Sequence, residues 1–172
     1  SRSLLALMED VLDISAIEAG KFKSKQVDFD IALLLTDIEQ IVLPTVQEKA
    51  LTYEVHVAED VPSRVHGDLD HLRQVLLNLI GNAVKFTDEG GVTIRCLAHA
   101  ADEPGKLALH FEVEDTGVGI PRAQQEKIFA MYYQVQGKKH ATGTGIGLAV
   151  SRQLVQAMGG QLYVDSDPGE GA

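Results

Sequence analysis

Residues 74–86, Gln-Val-Leu-Leu-Asn-Leu-Ile-Gly-Asn-Ala-Val-Lys-Phe, constrain this chain more than any other stretch. Read as a helix, they place Val75, Leu76, Leu79, Ile80 and Ala83, with Leu72 just before, on one apolar stripe. Asn78, Asn82 and Lys85 follow at i, i+4 and i+7 and form a second row along one edge of that stripe. Two amides and an ammonium offer a metal-ligating oxygen, further hydrogen bonds and a positive charge. Such a row beside a buried face can hold a ligand half out of water. The solvated side of an ordinary amphipathic helix would look the same, so this helix alone leaves both readings open.

Composition narrows the ligand. Against 15 basic residues stand 25 acidic ones, a net charge of -10. A chain this acidic is a poor general nucleic-acid binder, because phosphate contacts need basic patches, and no nucleic-acid partner is expected. An anionic ligand would need a local device such as a cation, a helix N-terminus or a few lysines. Cys96 is the sole cysteine, which excludes an internal disulfide and a cysteine metal cluster. No apolar run is long enough to span a bilayer and the start is not a signal peptide, so these residues are expected to make no membrane contact.

Along the chain, residues 3–19 read as a helix with Leu4, Leu7, Val11 and Ile14 on a stripe widened by Leu5, Met8 and Leu12. Gly20 is a plausible stop. So broad an apolar face either packs on the domain or joins a helical bundle. A strand at 25–30 leads into a helix at 31–49, with Ile31, Leu34, Leu35, Ile38, Val42 and Val46 on one face and Pro44 expected to kink it. Residues 51–58 alternate as a strand, 61–67 read as a loop, and Asp68 is a candidate N-cap. Strands are expected at 92–99 and 107–114, a short helix at 122–130, a glycine-bearing loop at 134–146, a helix at 147–158 and a last short strand at 161–165. Strands and helices mix without regular βαβ alternation, which favours an α+β fold.

Two glycine-rich stretches add chemistry. Asp115-Thr-Gly-Val-Gly-Ile120 follows a strand directly; Gly117 and Gly119 let backbone approach a flat ligand, and the carboxylate can accept a hydrogen bond from an exocyclic amine. A tight turn with an Asx cap would read similarly. Gly143-Thr144-Gly145-Ile-Gly147-Leu148 runs straight into a helix, where exposed N–H groups and the helix dipole favour anions. It is neither a dinucleotide fingerprint nor a Walker loop. Lys138, Lys139 and His140 precede it, with no acid between Gln134 and Ala149, which supports a phosphate-binding reading over a plain solvated loop.

Together, and in this order, these stretches resemble the catalytic ATP-binding domain of sensor histidine kinases, and most of all the hybrid kinases. Residues 78–86 resemble the N box, 115–120 the G1 box and 143–148 the G2 box, while Ile128-Phe-Ala-Met-Tyr-Tyr-Gln134 stands where the F box belongs. The opening, including Asp13-Ile-Ser-Ala-Ile-Glu-Ala-Gly-Lys21, resembles the second helix of the dimerisation and phosphotransfer hairpin. The resemblance implies a hairpin helix over 1–23 and an ATP-binding domain over 24–172 whose last strand is missing. It implies a Bergerat-type (GHKL) α/β sandwich with a mixed sheet packed on helices. It implies ATP and Mg²⁺ as cofactors, with Asn82 ligating the metal, Asn78 lending catalytic and polar support one turn earlier, and Lys85 facing phosphate oxygens. Asp115 would accept from the adenine amine, with Gly117, Gly119 and Ile120 around it. Residues 134–146 would form a lid, Gly143, Gly145 and Gly147 would sit against the phosphates, and Lys138, Thr144 and Leu148 would also bind the nucleotide. Implied partners are a response-regulator or receiver domain and a second copy of the chain through the hairpin helix. The implied location is bacterial and cytoplasmic, in a longer protein that can be anchored in the inner membrane.

Two departures stand out. Met131 and Tyr132 occupy F-box positions where Pro and Phe are usual. None of the six histidines (56, 66, 71, 99, 110, 140) has the Glu and Pro context of the family's phosphoacceptor. Two rival readings remain: a gyrase-type or Hsp90-type ATPase, and a non-catalytic nucleotide-binding scaffold that modulates another kinase. The ATPase rival needs a general-base Glu where Asn78 stands, and an amide cannot take a proton from water. The chain is therefore expected to bind ATP without labelling itself. Incubation with radioactive ATP should leave it unlabelled; stoichiometric incorporation would contradict this.

Overall fold

The computed structural model describes residues 4–134 and 143–172. Two aspartates set where its long helices begin. Asp30 accepts a hydrogen bond from the Leu33 N–H at 3.0 Å and opens α2, Ile31–Glu48. Asp68 accepts from the His71 N–H at 3.2 Å and opens α3, Leu69–Phe86. Each satisfies a donor that a first helical turn leaves unpaired. The strands leading into these helices, β1 (Gln26–Asp30) and β3 (Arg64–Asp68), pair antiparallel, Gln26 opposite Asp68 and Asp30 opposite Arg64. The expected loop at 61–67 is therefore corrected: its second half is a strand. Pro62, Ser63 and Gly67 dominate the local signal, but the ladder partner lies beyond α2.

A three-stranded sheet packs on α2 and α3. β2 (Thr52–Val57) runs parallel to β4 (Gly91–Ala100), and β4 runs antiparallel to β5 (Leu107–Asp115), in the order β2-β4-β5. Leu34, Ile38 and Val42 from α2, Leu76, Ile80 and Ala83 from α3, and Val92 and Ile94 from β4 form the main core. This is the mixed sheet packed on helices that the sequence implied. α2 runs through Pro44 to Glu48, and the expected bend there does not interrupt it. Cys96 lies in the same core, and burial pushes its thiol up to about 11, which keeps it a small apolar group rather than a nucleophile.

A second core sits on the opposite flank of α3. Val75 and Leu79 meet Val150 and Leu154 of α5 (Gly147–Ala157) and Ile14 and Ile17 of α1 (Leu4–Glu18). Gln74 Nε2 ties α1 down by donating to Asp10 Oδ1 at 2.9 Å and Asp13 Oδ2 at 3.0 Å. One edge of α1 thus packs on the domain, while Leu4, Leu5, Met8, Val11 and Leu12 stay exposed.

Two expected elements differ. The helix at 122–130 is a four-residue turn, α4 (Arg122–Gln125), followed by a single 3₁₀ turn at Lys127–Phe129. The last strand at 161–165 is not formed. Its side chains do alternate, Leu162 and Val164 half-buried between exposed Gln161, Tyr163 and Asp165, but no ladder pairs them among the described residues. Alternation alone does not make a strand without a partner for its N–H and C=O groups.

Lys49, at the C-cap of α2, fastens the far end of α3. Its ammonium donates to the carbonyls of Val84 at 3.0 Å, Lys85 at 2.8 Å and Thr87 at 2.9 Å, with Asp88 Oδ1 at 3.4 Å. A cation on three end-of-helix carbonyls satisfies orphan acceptors and opposes the helix dipole. Lys49→Ala should lower unfolding stability by about 1–3 kcal/mol, read as a shifted urea midpoint with an unchanged slope.

Candidate functional site

The polar row of α3 survives folding as the sequence implied. Asn78, Asn82 and Lys85 are each half-buried, between the fully buried positions that face the two cores. Asn78 Nδ2 donates to Ser151 Oγ of α5 at 2.7 Å. Asn82 makes no side-chain hydrogen bond among the described residues. Lys85 Nζ lies over the Phe86 ring, 5.2 Å from its centroid, and burial holds its ammonium below the ordinary lysine range. A Cβ added at Gly143 would sit 3.1 Å from Lys85 Nζ, so the ammonium stands beside the glycine turn.

The stretch at 115–120 leaves the end of β5. Asp115 Oδ1 accepts from the Gly117 N–H at 2.8 Å, the Asx turn that was the plainer reading of this motif. A carboxylate has room for further donors beyond that bond. Gly117 packs against the last turn of α3, where an added Cβ would lie 2.6 Å from the Phe86 carbonyl oxygen. Gly119 has φ +69 and backs onto the Asp167 carbonyl, so both conformation and space call for glycine. Ser166, buried, accepts from the Ile120 N–H at 2.8 Å and donates to the Gly171 carbonyl. The Asp115 N–H donates to the Ala172 carbonyl at 2.7 Å.

The glycine turn at 143–147 opens α5. Gly145, at φ +68, abuts the Tyr132 backbone, with its carbonyl accepting from the Tyr132 N–H at 2.8 Å. Tyr132 is itself left-handed at φ +62, an uncommon conformation for a large residue. Gln134 Nε2 donates to the Gly143 carbonyl. Lys138, with most of the expected lid, lies outside the described residues.

Asn78, Asn82, Lys85, Asp115, Gly119, Ile120, Gly143, Thr144, Gly145, Gly147 and Leu148 all line one open cleft; Gly117 does not reach its wall. The depression measures about 3060 Å³ because it continues past α1 and β3, whereas a ligand site needs only about 300–1,000 Å³. The subsite between α3, Asp115 and the glycine turn is the part that carries the polar row of α3. Among the described residues no cluster of His, Cys, Asp or Glu could hold a metal on its own.

Comparison with known proteins places the chain in a family. The profile described as "Histidine kinase-, DNA gyrase B-, and HSP90-like ATPase" matches residues 67–172. The chain belongs to this family. Over 164 residues it is 43% identical to the sensory/regulatory protein RpfC of Xanthomonas campestris, covering 94% of this chain and 23% of that protein. Over 169 residues it is 44% identical to the aerobic respiration control sensor protein ArcB of Escherichia coli, covering 96% and 21%. The chain thus spans less than a quarter of the length of these relatives. Full-length ShkA in complex with AMPPNP superposes with a TM-score of 0.80 at 35% identity, over 98% of this chain and 34% of that one. The Acinetobacter baumannii histidine kinase AdeS shares the fold, with a TM-score of 0.74 over 96% of this chain and 73% of that one. Within the family, the chain is the ATP-binding catalytic domain of the sensor histidine kinase type.

Two residues of this domain escape a reading of the sequence. Ser151 is the one hydroxyl among the buried positions Ala149, Val150 and Leu154 of α5, and that oddity is its only local signal. Lys49 looks like any lysine at a helix end.

Lys85 makes a pH prediction. Its ammonium is held below the usual range by burial, and an incoming polyphosphate would favour the charged form. Polyphosphate affinity should therefore be full at neutral pH and fall as pH rises through the free protein's Lys85 pKa. Lys85→Arg, which stays charged, should flatten that alkaline limb, and Lys85→Met should weaken binding at neutral pH and converge with the parent at alkaline pH; titration across pH 7–11 reads both.

Proposed function

We propose that this domain binds Mg-ATP between α3, the Asp115 turn and the glycine turn, and delivers the γ-phosphoryl group to a histidine carried outside residues 1–172. The convergence of Asn82, Asp115 and Gly145 on one cleft supports the reading most directly. Asp115 would accept from the adenine amine, which distinguishes adenine from guanine, whose carbonyl at that position offers no proton. Lys85 and the N–H groups at the start of α5 would face the phosphates.

The residues suit Mg²⁺. Among the described residues, Asn82 offers an amide oxygen with no side-chain hydrogen bond, and no cluster of His, Cys, Asp or Glu competes for the ion. Mg²⁺ takes few protein ligands and completes its shell with phosphate oxygens and water. When bound, it would neutralise charge on the transferring phosphate. The protein's own share is positioning: Asn78 and Asn82 on a rigid helix, Asp115 at a strand end, Lys85 beside the turn.

Residues 1–23 would be the second helix of the phosphotransfer hairpin, with the exposed edge of α1 pairing with a second copy. The phosphoryl group would pass onward to an aspartate of a receiver domain.

Calorimetric titration tests the nucleotide reading. The parent chain should bind Mg-ATP and prefer it to Mg-GTP. Asp115→Ala should weaken Mg-ATP by about 10–100-fold, the worth of a hydrogen bond to a charged group, and erase the preference. Absence of binding by the parent would favour a scaffold without nucleotide function.

A further inference from the structure

We infer that Ser151 is a positioning residue that anchors the Asn78 carboxamide where the nucleotide meets it. The inference rests on the nucleotide reading above. Asn78 Nδ2 donates to Ser151 Oγ at 2.7 Å. Ser151 is 2% exposed, fixed among the apolar residues that seat α5 on α3. A hydroxyl so placed costs stability unless paired, and Asn78 is the side-chain partner it has. A carboxamide is two-ended: one side donates, the other accepts. With its NH₂ end on Ser151, Asn78 keeps Oδ1 for the cleft it lines. Without Ser151 the carboxamide loses this anchor and turns freely about its terminal torsion, which is broad and nearly two-fold.

Placement explains why α5 supplies this contact. Ser151 is the fifth residue of a helix whose first is Gly147 of the glycine turn. The same rigid element therefore offers N–H groups to the phosphates and sets the amide on the neighbouring helix. Sequence adjacency links the turn to Ser151, and one hydrogen bond links Ser151 to α3.

A double-mutant cycle tests this. Mg-ATP affinity is measured for the parent, Ser151→Ala, Asn78→Ala and the double variant, each also melted without nucleotide. Ser151→Ala should weaken Mg-ATP about 3–10-fold, the worth of one hydrogen bond, and add no further loss once Asn78 is alanine. A merely structural role would lower affinity equally in both backgrounds. Unchanged affinity in Ser151→Ala, or the full loss recurring in the double variant, overturns the inference. A parent that binds no Mg-ATP overturns the nucleotide reading instead. NMR gives an independent check: the Asn78 side-chain amide protons, identified by their loss in Asn78→Ala, should exchange slowly in the parent, and free exchange counts against the inference.

Discussion

Helix α3 is wedged between two cores, and that wedge fixes the orientation of everything it carries. Leu76, Ile80 and Ala83 are buried toward the sheet, while Val75 and Leu79 pack against α1 and α5. At 100° per residue, a turn of the helix by one position would swap amides into one core and leucines into solvent. Returning two such side chains to water costs about 1.5–3 kcal/mol each, more than any single polar contact in the row returns. The edge bearing Asn78, Asn82 and Lys85 is thus the part of α3 that neither core claims. Lys49 locks the far end of the same helix, where Phe86 meets Gly117.

Net charge poses the opposing problem. A protein at -10 must hold a ligand with several negative charges. The repulsion is handled locally rather than by the surface as a whole. Lys85 stands beside the glycine turn, partly desolvated, where screening by water is weaker than at an exposed site. The N-terminus of α5 adds oriented N–H groups, which carry no compensating negative side chain in its first turn. The cleft is therefore cationic at one end within an acidic molecule.

The sequence disclosed what depends on spacing and little of what depends on distant partners. α2, α3 and α5 are legible to within about a residue at each end, the Asp68 start of α3 included, because apolar spacing and a helix cap are local signals. The polar row and both glycine turns were legible for the same reason. β3 was missed because its ladder partner β1 lies 38 residues away at Asp28 opposite His66. The stretch at 161–165 was over-read because its alternation is real but unpaired. Ser151 and Lys49 take their meaning from atoms 73 and about 35 residues distant, and no short-range pattern announces them.

The first helix presents two unlike edges. Its inward edge is fastened twice, by Ile14 and Ile17 in the second core and by Gln74 between Asp10 and Asp13. Its outward edge leaves Leu4 at 74% and Leu12 at 65% exposed, in a continuous apolar stripe. The inward contacts are made to α3 and α5, the same two helices that present the amide row and the glycine turn. A partner helix laid on the outward edge would therefore be held in register with the cleft through one rigid helix, without any contact of its own to the site. Apolar burial on that edge would set distance and orientation together, which is what phosphoryl transfer demands of its scaffold.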